Sequence, residues 1–480
     1  MNKIGIVIIG CLVFPVSVHS AGVPVNSANQ WPQWRGPEAN GVARKAHPPT
    51  EWSETKNVRW KADLPGLGHA TPIVWGNKVI IQMAVKTEKQ GNTDQEPQAR
   101  SDANGRSTLD GAIRFSETLE ASTLQPDRRR RGRGRRGRGR WRRPAPTKNH
   151  EFIVMALDRK NGKVLWKKTL TEELPHESLH TDATQASNSP VTDGKHLYAY
   201  FGSRGLYCLD MEGNLKWKKN FGNMRTRNNF GEGSSPLLHK NTIVVNWDHE
   251  GDSFIVALDK KTGKQRWKKD RDEPTSWATP IIVEQDGQAQ VVTAASGFVR
   301  AYDLETGKIV WQCSGLTSNV ISSPVSDFGM IFAMSGHRGF ALMAIRYVGA
   351  SGDISGSEAV AWRHDEGTPY VPSPLLYDGF LYFLKRNNAL LTCLDAKTGK
   401  EHFTQQRLEG VEGIYASPVG ANGRVYITGR NGTTLVIKKS PKFEILATNT
   451  LDDEFDASVA IADDELYLRG RKHLYCIAKK

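Results

Sequence analysis

The chain has 480 residues, a modest apolar fraction of 38% and a formal net charge of +14. Trp, Tyr, Val and Ile recur in short runs while long runs of strong helix formers are absent, which excludes a mainly helical protein and favours strands. Eleven arginines and no acidic residue occupy residues 128–143, and removing those eleven from the net charge leaves +3. A uniformly basic protein is therefore excluded, because the charge is confined to one segment.

The N-terminus has the pattern of an export signal. Lys3 precedes a mostly apolar stretch over residues 4–18, and a small-residue cleavage site stands before Ala21. We interpret residues 1–20 as a signal peptide, because the apolar stretch is short for a membrane-spanning helix. A second interpretation is a lipoprotein that is cleaved and lipidated at Cys11. Either way, the chain is expected to be exported to the periplasm or cell envelope, soluble or peripherally attached to a membrane.

Residues 21–51 are interpreted as an N-terminal extension, and an internal repeat follows over residues 52–480. Its first element is a small hydroxyl residue before proline, and from Pro190 to Pro418 the successive prolines are 46, 44, 44, 50 and 44 residues apart. The copies are Thr71-Pro72, Ser189-Pro190, Ser235-Pro236, Thr279-Pro280, Ser323-Pro324, Ser373-Pro374, Ser417-Pro418 and the degenerate Ser458-Val459. A repeat of this length is typical of a four-stranded propeller blade, and eight copies predict eight blades.

The second repeated element is a turn with Asp and Gly that leads to an aromatic residue, as in Asp259 to Trp267. Asp and Gly favour tight hairpin turns. A large ring at the same place in every unit is expected to bury apolar surface between neighbouring blades. The predicted docking residues are Trp60, Trp166, Trp217, Trp267, Trp311, Trp362 and Phe403.

The last unit lacks its own turn and Trp strand, because the chain ends soon after residues 473–478. The strand around Trp60 precedes the first Thr-Pro pair and is available to complete blade eight. Such a clasp would remove exposed sheet edges. Cys208, Cys393 and Cys476 occupy a strand position that alanine takes in other units, so they are expected to fill a small buried slot. We expect no structural disulfide, since these three belong to blades that are far apart.

Residues 87–150 interrupt blade one and are rich in Gln, Ser, Arg and Gly. We interpret them as a disordered insertion, because such a segment cannot bury enough apolar surface to fold. Its predicted polyanion contacts are Arg128, Arg131, Arg136, Arg140 and Trp141. Export favours an anionic polymer of the envelope over a specific nucleic acid, and the alternative is a solvated spacer without a partner.

The Asp-x-x-Thr-Gly-Lys-x-x-Trp units at Asp259 and Asp303, with Ser/Thr-Pro at the blade starts, resemble the PQQ-like β-propeller repeat. That superfamily includes quinoprotein alcohol dehydrogenases and the outer-membrane assembly lipoprotein BamB. The opening Trp-Pro-Gln-Trp-Arg-Gly-Pro over residues 31–37 is similar to exported bacterial proteins with this repeat. The resemblance implies an all-β, eight-bladed propeller and leaves its function open, because one fold hosts many activities.

Two functions are compatible with the resemblance. Quinoprotein dehydrogenases imply a neighbouring-cysteine disulfide, a Trp below the quinone and a calcium ion held by Glu, Asn and Asp. The sequence has no Cys-Cys pair and no haem-attachment motif, and Trp277, Glu232, Asn188 and Asp456 could only loosely mimic the floor and ligands. We therefore favour a non-catalytic binding or assembly scaffold without cofactor or metal. A PQQ-dependent alcohol or sugar dehydrogenase with PQQ and Ca²⁺ is the alternative.

Residues that come just before each Ser/Thr-Pro pair should surround one mouth of the central channel. They are polar and aromatic, as expected for a ligand site, although ordinary water-filled loops would also fit. The candidates are His69, His180, Asn188, Glu232, Trp277, Tyr370, Tyr415 and Asp456. The expected partner is an envelope or secreted protein or an anionic polymer, bound by a monomer.

Overall fold

The structure is a computed structural model that describes residues 29–91 and 145–479. The described strands form eight sheets, each with four antiparallel strands, and two of the sheets carry a fifth, parallel strand. In seven sheets the four antiparallel strands come from one stretch of the chain, whereas the eighth takes one of them from the N-terminal part. First strands of neighbouring blades contact each other, so they surround the central axis. The predicted eight-bladed, all-β propeller is confirmed. Within the described ranges, no helix is long and apolar enough to cross a membrane.

Blades 1 to 4 follow one another in chain order from the first Thr-Pro pair. The strands of blade 1 are Ile73–Trp75, Lys78–Gln90, Lys148–Asp158 and Val164–Glu173. Those of blade 2 are Val191–Thr192, His196–Tyr200, Leu206–Asp210 and Leu215–Lys219, and those of blade 3 are Leu237–His239, Thr242–Trp247, Phe254–Asp259 and Gln265–Asp270. Blade 4 contains Ile281–Gln285, Gln288–Ala294, Val299–Asp303 and Ile309–Cys313, with Gly352–Asp353 added in parallel at its outer edge.

Blades 5 to 8 complete the ring. Blade 5 contains Val325–Asp327, Met330–Ser335, Ala341–Arg346 and Val360–Arg363, and blade 6 contains Leu375–Tyr377, Phe380–Leu384, Leu390–Asp395 and Glu401–Arg407. Blade 7 contains Val419–Ala421, Arg424–Thr428, Thr433–Lys438 and Ile445–Thr450. Blade 8 contains Ala460–Ala462, Glu465–Arg469, His473–Ile477 and the N-terminal Val58–Asp63. Two short 3-10 helices of the described ranges, Gly202–Arg204 and Arg227–Asn229, lie in loops.

The predicted clasp is confirmed at blade 8. Val58–Asp63 pairs antiparallel with His473–Ile477, and Trp60 lies opposite Cys476. The strand thus takes the outer position of blade 8. This pairing joins the two ends of the propeller within one sheet, so it covers the edge of His473–Ile477 and closes the ring.

The apolar core lies between the blades. Ile80 belongs to a cluster with blade 2, whereas its neighbours Val79 and Ile81 belong to a cluster with blade 8. Successive side chains of a strand point to opposite faces, so each blade is buried by both of its neighbours. Seven clusters of this kind cover the eight junctions, because one cluster spans both sides of blade 8.

The predicted docking rings contact the turn of the following blade. The Trp217 indole donates a hydrogen bond to the Lys260 carbonyl oxygen at 3.1 Å, and a Cβ added at Gly263 would lie 2.8 Å from its ring. The other rings in this arrangement are Trp60, Trp166, Trp267 and Trp362, over Gly162, Gly213, Gly307 and Gly399. Each of these glycines has a positive φ, so glycine serves both the turn and the close approach of the ring.

Two docking positions depart from this arrangement. Trp311 is fully buried, but its indole donates to Gln290 of its own blade, and it packs with Tyr347 and Ile354 from a longer loop of blade 5. Phe403 packs edge-on against Phe443 of blade 7, with ring centroids 5.8 Å apart. The extra residues of blade 5 explain the first exception, since they cover Trp311 in place of a Gly turn.

The two ends of the ring differ. One end carries the hairpin turns with Asp and Gly, and we call it the turn face. The other end carries the connections between blades and the loops between second and third strands, and we call it the loop face. The described parts of the insertion, residues 87–91 and 145–150, correct its predicted bounds, because Gln90 pairs with Lys148 as a continuation of blade 1. The rest of the insertion lies outside the described residues and leaves blade 1 on the loop face.

A strap formed by residues 29–51 packs across the turn face, although the sequence indicated only an extension. The Trp31 side chain is fully buried, and its backbone exchanges two hydrogen bonds with Val74 of blade 1. Val42–Ala43 pairs in parallel with the first strand of blade 7. The strap therefore joins blades that are not neighbours and closes the turn face of the channel.

Candidate functional site

The hydroxyl group of each Ser/Thr-Pro pair links neighbouring blades at the axis. The Ser189 Oγ accepts a hydrogen bond from the Thr71 N–H, and the Ser235 Oγ accepts one from the Ser189 N–H, both at 2.9 Å. The same bond recurs at each following junction up to Ser458, over 2.7 to 3.0 Å. The motif that marks the repeat in the sequence thus builds a hydrogen-bonded belt around the channel.

Above this belt, a pit of about 390 Å³ opens on the loop face. Its volume lies within the range of small-molecule sites, about 300 to 1,000 Å³. Seven of the eight predicted mouth residues line it, namely His69, His180, Glu232, Trp277, Tyr370, Tyr415 and Asp456. The structure therefore brings these residues together, and their role in binding a ligand stays a prediction.

Asn188 is the exception among the predicted mouth residues. Its side chain is buried, and its Nδ2 donates to the Ser234 carbonyl oxygen at 2.7 Å. The neighbours Ser187 and Ser189 line the pit while Asn188 does not, because successive side chains of extended backbone point to opposite sides. Its predicted place at the mouth is corrected to the junction between blades 2 and 3.

Asp456 is a nearly inaccessible carboxylate in the pit wall. Its oxygens lie 3.3 Å from His69 Nε2, 2.7 Å from Arg430 Nε and 3.1 Å from Arg471 Nη2. Burial acts to raise its pKa, but the bonds with His69 and Arg430 outweigh burial and hold the pKa well below the usual range. Asp456 is therefore ionised at neutral pH and already neutralised by its partners.

Arg430 connects Asp456 to the far end of the loop between blades 1 and 2. Its Nη1 lies 2.9 Å from an oxygen of Asp182, and its guanidinium lies 3.8 Å from the centre of the Tyr415 ring. Asp182 also lies 3.3 Å from His180 Nδ1. Sequence reasoning missed Arg430 because it lies in a loop between second and third strands, far from any Ser/Thr-Pro pair. Loops at this position in other blades, such as the one with His337, also reach the pit.

Glu232 lies on the opposite side of the pit and has an unusual ionisation. Burial raises the pKa of its carboxyl group to about 7, although hydrogen bonds from Ser203 act to lower it. One oxygen accepts the Ser203 N–H at 2.6 Å and the other accepts the Ser203 hydroxyl at 2.5 Å. A pKa in this range is the one at which a carboxyl group can serve as a general base or acid near neutral pH.

Aromatic side chains form much of the remaining wall. The Trp277 indole donates to the Gly231 carbonyl oxygen at 2.6 Å, and the Phe230 ring centre lies 6.2 Å from it. On the other side of the pit, Tyr370 and His337 have ring centres 4.8 Å apart. The wall thus offers rigid apolar surfaces between its few polar groups, which is typical of organic-ligand sites.

The strap supplies the floor of the pit. Trp34 is half-buried and lines both the pit and a small cavity behind it, so it separates the two. The next residue, Arg35, is almost fully buried and donates to the carbonyl oxygens of Pro418 and Pro374 at 2.6 and 2.5 Å. Burial lowers the pKa of Arg35 to about 9, which leaves it charged at neutral pH. The repeat gave no signal for this floor, because residues 31–37 occur once.

The side chains of the pit do not fit PQQ with calcium as the resemblance implied it. Among the residues described, no three His, Cys, Asp or Glu side chains converge as a metal site. Asp456 is held by basic side chains, so it is a poor calcium ligand. The described cysteines, Cys208, Cys313, Cys393 and Cys476, are free and buried in separate blades, so none forms a neighbouring-cysteine disulfide.

The predicted polyanion contacts, Arg128, Arg131, Arg136, Arg140 and Trp141, lie outside the described residues. The strands that lead to them are described, and Gly91 N–H donates to the Thr147 carbonyl oxygen at 2.9 Å. The insertion therefore begins and returns at one point of blade 1. Its binding of a polyanion stays a prediction.

Comparison with solved structures supports the fold. The quinohemoprotein alcohol dehydrogenase of Comamonas testosteroni superposes with a TM-score of 0.57 at 10% identity, covering 95% of this chain and 82% of that one. The quinohemoprotein alcohol dehydrogenase ADHIIG of Pseudomonas putida HK5 gives a TM-score of 0.51 at 9% identity, covering 95% and 81%. Similarity at such low identity shows a common fold and nothing about activity.

Comparison with known sequences identifies the family. The outer membrane protein assembly factor BamB of Yersinia pestis is 21% identical over 335 residues, which cover 66% of this chain and 78% of that protein. The family model PQQ_2, described as outer membrane protein assembly factor BamB, matches residues 150–405, more than half of the chain. This chain therefore belongs to that family of PQQ-like propellers.

Proposed function

We propose that this chain is a non-catalytic binding or assembly scaffold of the cell envelope, which holds a partner at the mouth of its pit. The observation that carries the proposal is the state of the pit's charged groups. Asp456 and Asp182 are bound to Arg430, and Asp456 also to His69 and Arg471, so neither is a free base or metal ligand. Rigid aromatic walls and internally paired charges suit binding better than proton transfer.

The family supports the same conclusion. Relatives in Yersinia pestis and Moranella endobia are outer membrane protein assembly factors, and the second is 23% identical over 281 residues. We extend to this chain the export and the protein–protein contacts that such a role requires. The signal peptide over residues 1–20 forms part of this proposal and lies outside the described residues.

A PQQ-dependent dehydrogenase is the second candidate, and one observation favours it. Glu232 has a pKa raised to about 7 by burial and lines the pit, which is a property of general bases. The fold shared with two quinohemoprotein alcohol dehydrogenases is compatible with this candidate. Against this candidate, the residues that the structure describes contain no group of three or more His, Cys, Asp or Glu side chains that could hold a calcium ion.

The experiment is affinity capture with the full-length, exported protein from its own envelope fraction. Wild type is compared with Tyr370→Ala, at the pit, and with Phe328→Ala, an exposed aromatic residue in a hairpin of the turn face. We expect wild type and Phe328→Ala to recover outer-membrane assembly proteins and Tyr370→Ala to recover clearly less. Equal recovery by all three proteins would contradict a role for the pit.

The same preparations, supplied with PQQ and Ca²⁺, are assayed for dye-linked alcohol oxidation. We expect no turnover above that of buffer with PQQ and Ca²⁺. Turnover that disappears in Glu232→Gln, together with capture of a cytochrome, would overturn the scaffold and establish the dehydrogenase.

A further inference from the structure

The belt of hydroxyl groups leaves unused donors at the base of the pit. Each hydroxyl oxygen from Ser189 to Ser458 accepts a backbone N–H of the preceding blade. Within the described part of the chain, none of these seven hydroxyl protons has a protein acceptor. A hydroxyl group can donate and accept at the same time, so each can still donate one bond. All seven residues line the pit, where oxygen atoms of a ligand would satisfy these donors.

Flat apolar surfaces stand next to these donors. Trp34 forms the floor, and Trp277 is fixed in the wall by its bond to Gly231. The arrangement suits a ligand that presents a flat apolar face to an aromatic ring and oxygen atoms at its edge. A six-membered sugar ring has this form, because its C–H bonds form the face and its hydroxyl groups form the edge.

The charges of the pit indicate that its ligand is neutral. Arg430 lies between Asp182 and Asp456, and Arg471 also contacts Asp456, so two guanidinium groups balance the two carboxylates. A cationic ligand would find Asp182 and Asp456 already paired with guanidinium groups, and both oxygens of Glu232 already bonded by Ser203. Arg35 is charged, but it donates to proline carbonyl oxygens on the far side of Trp34. The paired carboxylates keep oxygen lone pairs that can accept hydrogen bonds from hydroxyl groups of a ligand.

The size of the pit agrees with one or two rings. A cavity of about 150 Å³ holds one benzene ring, and the pit has about 390 Å³. We propose, on the basis of the proposed function, that the pit binds a neutral sugar unit against Trp34. The strap sets the depth of this site, since Arg35 fastens Trp34 in the channel. Trp34 is thus the residue that determines what fits.

The test is saturation-transfer NMR with the full-length protein and methyl β-glucoside at roughly 10 mM, which occupies millimolar sites. Cellotetraose is measured in parallel to distinguish a free sugar from the end of a polysaccharide. Benzoate and benzyltrimethylammonium serve as anionic and cationic probes of similar size. The variants are Trp34→Ala, Trp34→Phe and the turn-face control Phe328→Ala. Each variant is compared with wild type once its melting temperature is shown to equal that of wild type.

We expect sugar signals with wild type and Phe328→Ala, a comparable signal with Trp34→Phe, and about tenfold weaker affinity with Trp34→Ala, as for one lost aromatic contact. Stronger binding of cellotetraose identifies a polysaccharide end as the ligand. Absence of a wild-type sugar signal, equal binding by Trp34→Ala, or preferred binding of either charged probe overturns the proposal.

The two proposals fail in different ways. If sugars do not bind while Tyr370→Ala still loses outer-membrane assembly proteins, the sugar assignment is wrong and the scaffold stands. If sugars bind through Trp34 while no assembly protein is captured, the scaffold is wrong and the sugar site stands.

Discussion

The two faces of the ring are built from the same eight repeats and have different uses. On the turn face, the same Asp-Gly turn receives the same indole ring at five junctions. On the loop face, the residues around the pit differ from blade to blade, and they include His69, Glu232, Trp277 and Asp456. The repeated positions therefore hold the blades together, whereas the positions that vary form the candidate site.

The largest effect is expected at the turn face, from Trp60→Ala. Trp60 is 7% exposed, and it joins blade 8 to Gly162 and Arg159 of blade 1. Loss of this ring should lower the free energy of unfolding by about 3 to 5 kcal/mol, as for other buried aromatic residues. Urea unfolding measures this loss. The control is Leu67→Ala, which removes an exposed side chain. A neutral Trp60→Ala would show that the clasp does not hold the ring closed.

A pH-dependent effect is expected at the loop face, from Glu232. Its pKa is about 7 in the folded protein and 4.5 ordinarily, so the folded state binds more protons between these values. The contribution of Glu232 to the free energy of unfolding therefore falls by about 2 to 3 kcal/mol as the pH rises from about 5 to 8. Glu232→Gln should match wild type at pH 5 and be more stable at pH 8, measured by urea unfolding. Parallel pH curves for the two proteins would contradict the raised pKa.

The smallest effect compares two turn glycines, Gly263→Ala and Gly287→Ala. Both have positive φ, but an added Cβ meets Trp217 at 2.8 Å in the first and nothing within 4 Å in the second. The φ angles of the two glycines, +68° and +78°, are similar, so the two substitutions carry similar backbone strain and their difference reports mainly the ring contact. We expect Gly263→Ala to unfold more easily than Gly287→Ala by about 1 to 2 kcal/mol. Equal midpoints in thermal unfolding would mean that the Trp217 ring moves aside without loss of stability.

Most of the fold could be predicted from the sequence because it repeats. The Ser/Thr-Pro spacing gave the number of blades, and the missing strand of the last unit gave the clasp at Val58–Asp63. Position before Ser/Thr-Pro was enough to place seven of the eight mouth residues in the pit. The prediction from this position was wrong for Asn188, because side chains alternate along extended backbone and that of Asn188 faces away from the pit.

The remainder could not be predicted because it occurs once. Trp34 and Arg35 lie in a strap without a counterpart in the blades, and their burial depends on carbonyl groups of Pro374 and Pro418 far along the chain. Arg430 meets Asp182 across the pit, 248 positions apart in the chain. Single long-range contacts of this kind leave no periodic pattern, so only the three-dimensional structure reveals them.

The clasp also fixes an order of events in folding. Arg59 and Glu465 bond within one sheet although 406 positions separate them. Synthesis delivers Val58–Asp63 long before its partner strand, His473–Ile477. Closing so long a loop is slow, because chain entropy opposes it until the native contacts form. The strand Val58–Asp63 therefore stays unpaired until residues 473–477 have been made. A chain interrupted before residue 473 would leave the ring open, with its strand edges exposed to other chains.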